Sequence, residues 1–229
     1  KNHGRGAVLS TTINKYCYLN CRYLPPFFRH KYAINYSKRE LTKDIQSIKH
    51  PSVRESMNLV KPDAGIELNH AGDLPKMSGV GSSSAFTVGL LHSLYSLKGE
   101  VKTKRELALD AIHVEQNMIG ENVGSQDQVS AAFGGLNKIE FGGPQEIMVS
   151  PIIIRSEKLD QLCSNLMLFF TNTSRDGTKI AKNWIKNTDQ NKSYLKNMLA
   201  MVDEGQNILT SKNGNLDDFC KLLHKGWEI

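Results

Sequence analysis

No stretch of this chain is apolar for long enough to cross a bilayer. Its first residues, "KNHGRGAVLSTTINKYCYL", hold no signal-peptide core, because polar residues interrupt every candidate apolar run. Cysteine is scarce. Cys17 and Cys21 are separated by three residues, while Cys163 and Cys220 stand alone. That pattern excludes a zinc site of the common spacings and a dense disulfide framework. Four free thiols in a reducing cytoplasm is the plain account. Charge imbalance is also slight. The formal net charge is +6 and the isoelectric point about 9.1, with both signs interspersed and a mean hydropathy of -0.39. Such mild basicity suits anionic small molecules, and no basic-aromatic stripe of the kind nucleic-acid binding needs is visible. The expectation is a cytoplasmic protein with a small-molecule substrate and neither a nucleic-acid nor a membrane partner. Its oligomeric state stays open, a dimer included. There is no internal repeat and no low-complexity linker, and 229 residues suffice for one large domain or two small ones.

What is present reads as α+β. Residues 7–23 alternate and predict one or two strands with a turn near Asn14. "LPPFFRH" breaks them. Residues 38–49 predict a short helix, and residues 52–61 a second one that stops before Pro62. "AGIELNHA" predicts a strand ended by Asp73-Leu74-Pro75. Thr103 and Glu106 have capping-box spacing, and Gly120 is placed to end the helix they begin. Strands are expected at 137–141, 147–154 and 165–170, and helices at 176–187, 191–210 and 215–225. Tyr16, Tyr18 and Tyr23 read as sheet packing, and Trp184 and Trp227 as core or lobe contacts. His92 and His113 read as histidines packed on helix faces, and the remaining histidines have no metal spacing.

The stretch "GVGSSSAFTVGLLHSLYSL", residues 79–97, crowds Gly79, Gly81, Ser82, Ser83 and Ser84 before an apolar helix. Glycines let backbone turn tightly and approach a ligand. The first turn of a helix carries unpaired N–H groups and the positive end of the dipole. Together these make a phosphate cradle, to which serines add hydroxyls. A serine-capped helix after a flexible loop would look similar. The run is not a P-loop, since no G-x-x-x-x-G-K-[ST] is present. It is not a dinucleotide fingerprint either, because Ser84 occupies the last glycine position.

Downstream, Glu115 falls on the apolar face made by Ala108, Ala111, Ile112, Met118 and Ile119. A carboxylate there must be paired, protonated or bound to a metal, unless it sits at the periphery in a salt bridge. "GENVGSQDQVSAAFGG", residues 120–135, then reads as a polar glycine-rich loop with Asp127 in its middle, flanked by Gln126 and Gln128. Asp127 could also cap a helix beginning near Val129. A phosphate cradle, one carboxylate fit for Mg²⁺ and another fit for proton abstraction form a kinase constellation.

Two of these stretches resemble a known family. "LPKMSGVGSSSAFTVGLLHSL" resembles the second motif of the GHMP kinases, and "EQNMIGENVGSQDQVSAAFGGLNKIEF" is similar to the heptose 7-phosphate kinases and related fucose kinases within that family. "FFTNTSRDGTKIA" resembles a further segment, with Thr171 and Arg175 matching, Asn172 replacing a usual glycine, and Met77 departing likewise. The resemblance implies a two-lobe α+β fold. An N-terminal lobe of the ribosomal-protein-S5 domain-2 type would span residues 1–155, and residues 156–229 would begin an α/β sandwich lobe that this sequence does not complete. A glycine-rich segment ending in Gly-Thr-Asp would precede Lys1, and a second glycine-rich loop would follow Ile229. It further implies that ATP lies over Gly79, Val80, Gly81, Ser82, Ser83 and Ser84, with Ser82 and Ser84 as phosphate or loop contacts. Ser83 and Glu115 would hold Mg²⁺, and Asp127 would be the base on a sugar hydroxyl. The implied reaction is ATP-dependent phosphorylation of the anomeric hydroxyl of D-glycero-D-manno-heptose 7-phosphate, toward nucleotide-activated heptose for surface polysaccharides. Fucose, galactose or another small alcohol is the rival substrate, and a catalytically silent binding protein is the rival class.

Overall fold

The structure is a computed structural model that describes residues 4–75, 78–142, 146–169, 188 and 191–228. The expected helix at 176–187, Trp184, Met77 and the matches at 171–175 lie outside the described residues. The chain divides into two compact units, one formed by residues 13–133 and the other by the first strand together with the described residues from 134 onward.

In the first unit a four-stranded sheet has the order β2-β5-β3-β4. Its strands are β2 (Cys17–Tyr23), β3 (Tyr32–Asn35), β4 (Arg39–Thr42) and β5 (Ile66–Gly72). β2 and β4 run antiparallel to their neighbours, whereas β3 and β5 pair in parallel, Ile34 opposite Leu68. Helix α1 (Pro51–Val60) supplies the crossover between them, with proline in its first turn, where a missing N–H costs nothing. Helix α2 (Ser82–Leu97) packs on β2 and also on α1, α3 (Lys104–Ile112) and α4 (Gln126–Phe133). Neighbours on several sides explain why it is apolar around most of its circumference, with Leu90, Leu91 and Leu94 fully buried. Truncating one of these leucines to alanine costs about 2–5 kcal/mol by the usual cavity scale. Gly89 lets α2 lie close to β2, since a Cβ there would sit 2.7 Å from Leu19 Cδ1.

The second unit holds a three-stranded antiparallel sheet of order β1-β6-β7, built from β1 (Gly6–Thr11), β6 (Leu136–Phe141) and β7 (Ile147–Pro151). Among the described residues three helices accompany it: α5 (Ser156–Asn165), α6 (Lys192–Thr210) and α7 (Leu216–Glu228). Ile152, Leu162 and Leu209 form its small core, with Leu9, Leu136, Ile154, Leu216 and Phe219 packed around them.

Several expectations change. The two strands within 7–23 exist, but β1 pairs with β6 and β2 with β5, so they belong to different sheets. The helix expected at 38–49 is instead β4 followed by a turn. Glu40 decides this. Its carboxylate accepts hydrogen bonds from Lys49 N, His50 N and Tyr36 Oη, which folds the chain back onto the start of α1. Desolvation pushes the Glu40 carboxyl upward, but these bonds outweigh it and hold the group below its ordinary value. The strand expected at 165–170 is absent over its described residues. Asn165 ends α5, and Leu166, Met167, Leu168 and Phe169 are exposed without ladder partners among the described residues. β7 stops at Pro151 rather than at 154. Tyr23 does pack, its hydroxyl donating to Leu97 O, but Tyr16 and Tyr18 face solvent, as do His92, His113 and Trp227. Period alone could not tell the covered face of these elements from the open one.

His50 and His70 flank Phe86, with ring centroids 5.0 and 5.1 Å away, and Tyr36 meets His50 edge-on. His50 Nδ1 is buried without a partner. Burial lowers the pKa of both rings. For His50, Glu40 opposes the shift and His70 reinforces it. A folded-state pKa below the unfolded value means that the unfolded chain binds more protons in acid. Their contribution is therefore complete above the ordinary histidine value and is lost as pH falls through it. A thermal melt should drop more steeply from pH 7.5 to 5.5 in the parent than in His50→Phe, by roughly 2–4 °C for each kcal/mol of linkage. Equal slopes would remove His50 from the acid response.

Candidate active site

The glycine-serine run ends at Gly81, which caps α2 with φ of +73°, and Gly79 has φ of +79°. An L-residue pays about 1–2 kcal/mol in that region. Gly81 has a second reason to lack a side chain, because a Cβ would lie 3.3 Å from Asp127 Cγ. Gly79, Val80 and Ser83 are exposed, so the loop and the first turn of α2 open to solvent. The leading N–H groups and the positive end of the helix face that opening, as an anion site requires. If this turn holds the phosphates of ATP, as the resemblance implies, Gly81→Val should lose ATP affinity, because the left-handed φ and the contact with Asp127 Cγ would push the turn off its geometry. Calorimetric titration of the folded variant checks this, and wild-type affinity would place the cradle elsewhere.

The capping box at Thr103 and Glu106 is present in both directions. The helix it starts is not uniform. After α3 the chain continues as a π-helical stretch, His113–Met118, where Ile119 N donates to Val114 O and Glu121 N to Glu115 O. Wide turns of this kind re-aim side chains and cluster at functional sites. Here the wide turn carries Glu115 into the interior, where it is 2 % exposed.

Glu115 Oε2 accepts two hydrogen bonds, from Ser84 Oγ at 3.0 Å and from Gln128 Nε2 at 2.5 Å. Glu115 Oε1 is buried with no partner among the described residues, and so is Gln128 Oε1. Both orphaned atoms are acceptors. The pair therefore lacks a donor or a cation, which is the fit expected of a hard metal ion with oxygen ligands. Among the described residues no group of three histidine, cysteine or acidic side chains is placed to hold a metal. The family resemblance implied Ser83 as a metal ligand together with Glu115. The hydroxyl that meets the carboxylate belongs to Ser84, which is buried, while Ser83 is exposed at the mouth of the loop.

Asp127 is not in a loop, and it does not cap a helix starting near Val129. Helix α4 begins at Gln126, and Asp127 stands in its first turn. Although its side chain reaches solvent, crowding against the Gly81 turn partly desolvates the carboxyl and raises its pKa, against the pull of a Gln126 hydrogen bond. Gln116 Nε2 donates to Val123 O and Ser125 Oγ, and so ties the intervening loop to the π-helical stretch. Gln128 and Gln116 were given no role from sequence. The S-x-x-Q spacing of Ser125 and Gln128 marks a helix start, but it gives no sign that the amide turns inward to Glu115.

Residues 33–135 match the sequence profile of the GHMP kinases N terminal domain. The chain has the GHMP kinase fold. Over 98% of its length it superimposes on a D-glycero-D-manno-heptose 1-phosphate kinase from Bacteriodes thetaiotaomicron, covering 70% of that chain with a TM-score of 0.79 at 21% identity. Lactococcus lactis galactokinase complexed with galactose shares the fold at a TM-score of 0.57 and 17% identity, over 98% of this chain and 69% of that one. In sequence the chain is 30% identical over 123 residues, 54% of its own length, to a D-glycero-alpha-D-manno-heptose 7-phosphate kinase of Campylobacter jejuni. The match spans 36% of that relative's length. The two lobes and the mixed α+β architecture of this GHMP kinase fold agree with the sequence expectation.

Proposed function

We propose that this GHMP kinase domain belongs to an ATP-dependent sugar kinase that phosphorylates the anomeric hydroxyl of D-glycero-D-manno-heptose 7-phosphate. The observation that supports this reading is the packing of Asp127 against Gly81, which sets a carboxylate beside the N-terminus of α2, where phosphates would lie. Backbone N–H groups of the Gly79–Ser84 run, with Ser82, would hold the phosphates of ATP. Asp127 would orient the acceptor hydroxyl and receive its proton as charge builds on the transferred group. Glu115 Oε1 and Ser83 would hold Mg²⁺. Bound there, the ion supplies neutralisation of phosphate charge. Ser84 and Gln128 keep the carboxylate of Glu115 turned one way. The Campylobacter relative supports heptose 7-phosphate as substrate.

A kinase for galactose, fucose or another small alcohol is the second reading, favoured by the fold shared with galactokinase. A silent binding protein would have no use for Asp127 at the cradle or for a buried carboxylate with a free oxygen. The test is an ATP-consumption assay on the full-length protein with heptose 7-phosphate, unphosphorylated heptose, fucose, galactose and mevalonate. Heptose 7-phosphate should exceed the others in kcat/KM by at least about tenfold, the scale on which a pocket discriminates near relatives. A flat or reversed ranking gives the site to another alcohol. ATP binding with no turnover of any sugar points to the binding protein.

A further inference from the structure

Gln128 is fully buried, yet only one of its two amide ends is used. Its Nε2 donates to Glu115 Oε2, the same oxygen that Ser84 Oγ engages. Two donors on one carboxylate oxygen, from α4 and from α2, leave the other oxygen with none. Rotation of the carboxylate would exchange the two oxygens and bring Oε1 to the same donors, so the pair locks the plane of the group and keeps one oxygen bare. We infer that Gln128 is a positioning residue: it holds the Glu115 carboxylate so that Oε1 stays turned to the metal ion of the kinase reaction. This rests on the proposed role of Glu115 as a Mg²⁺ ligand.

A purely structural Gln128 would behave differently. Its loss would lower the melting temperature, because the buried Glu115 Oε2 would keep Ser84 Oγ alone as donor, and would leave metal affinity unchanged. Loss of an outer partner of a metal ligand instead lowers metal affinity, by about 10–100-fold in known sites. The variant Gln128→Met keeps the volume and removes the donor.

The measurement is Mn²⁺ binding to the full-length protein in the presence of a non-hydrolysable ATP analogue, followed by electron paramagnetic resonance, with a thermal melt on the same samples. Gln128→Met is expected to remain folded, to melt several degrees below the parent, and to bind Mn²⁺ about 10–100-fold more weakly. Gln128→Asn, with an amide one methylene too short to reach, should do the same and serves if the methionine variant does not fold. Glu115→Gln is the control that separates the two ideas. Weakened Mn²⁺ binding in Glu115→Gln with parent-like binding in the Gln128 variants overturns the positioning role alone. Parent-like binding in Glu115→Gln removes the metal reading beneath it.

Discussion

Asp127→Asn is expected to lower turnover by roughly 10²-fold or more while ATP affinity stays within a few-fold, the scale for a lost general base. The substitution is isosteric and leaves the Gly81 turn undisturbed. The amide differs from the carboxylate in charge, in carrying an NH₂ donor, and in having no basic oxygen for a proton. Two effects on stability oppose one another. A carboxylate in the first turn of α4 gains from the helix dipole, on the order of 0.3–1 kcal/mol. Desolvation beside Gly81 works against the charge and prevails, since the carboxyl titrates above its ordinary value. The unfolded chain then ionises more readily than the folded one, so this group costs stability once pH rises past the unfolded pKa. Asp127→Asn should accordingly melt no lower than the parent at neutral pH. The acid limb of the parent's pH–rate profile should lie above the ordinary aspartate value for the same reason. Steady-state turnover and ATP affinity on one folded preparation decide the matter. Near-normal turnover would make Asp127 a helix-terminus residue, and the proton would need another acceptor.

Glu115→Gln should raise the Mg²⁺ requirement by about 10–100-fold or more, at least the loss known for an outer partner of a metal site. The amide cannot satisfy its surroundings as the carboxylate does. Oriented to accept from Ser84 Oγ and Gln128 Nε2, it turns its own NH₂ toward the position where Oε1 is bare. A donor then faces the cation. Flipped, it sets NH₂ against two donors. Stability should hold or rise, because an interior charge has been removed. A rate titration with Mg²⁺ beside a melting curve tests both halves. Unchanged Mg²⁺ dependence in a folded, active variant would sink the metal role of Glu115.

Glu115 shows how far a pattern reaches. Its place on an apolar face marked it for the interior, and it is there. The same pattern treated residues 103–120 as one helix, because a π-helical turn changes the register by a residue without any signature in hydrophobic period. Which hydroxyl meets the Glu115 carboxylate was not legible for a related reason. Ser82, Ser83 and Ser84 are chemically alike, and only the packing of α2 against its neighbours decides which one is turned inward. The segment 38–49 failed differently. Its residues suit a helix well enough, but Glu40 finds three donors only when the chain turns back, and β3 offers a strand to pair with.

By itself the sequence determined whatever rests on neighbours along the chain. The reciprocal capping box at Thr103 and Glu106, the proline that opens α1, the left-handed turns at Gly79, Gly81 and Gly120, and the limits of β5 all follow from short-range sterics and backbone hydrogen bonding. Tertiary structure decided what depends on partners distant in sequence. It put β1 and β2 into separate sheets, set Asp127 on Gly81, and joined Ser84, Glu115 and Gln128 through one oxygen atom. Periodicity specifies which face of an element is covered and carries no information about what covers it. The unmet acceptor at Glu115 exists only because three elements close around it, so no local reading could have found it.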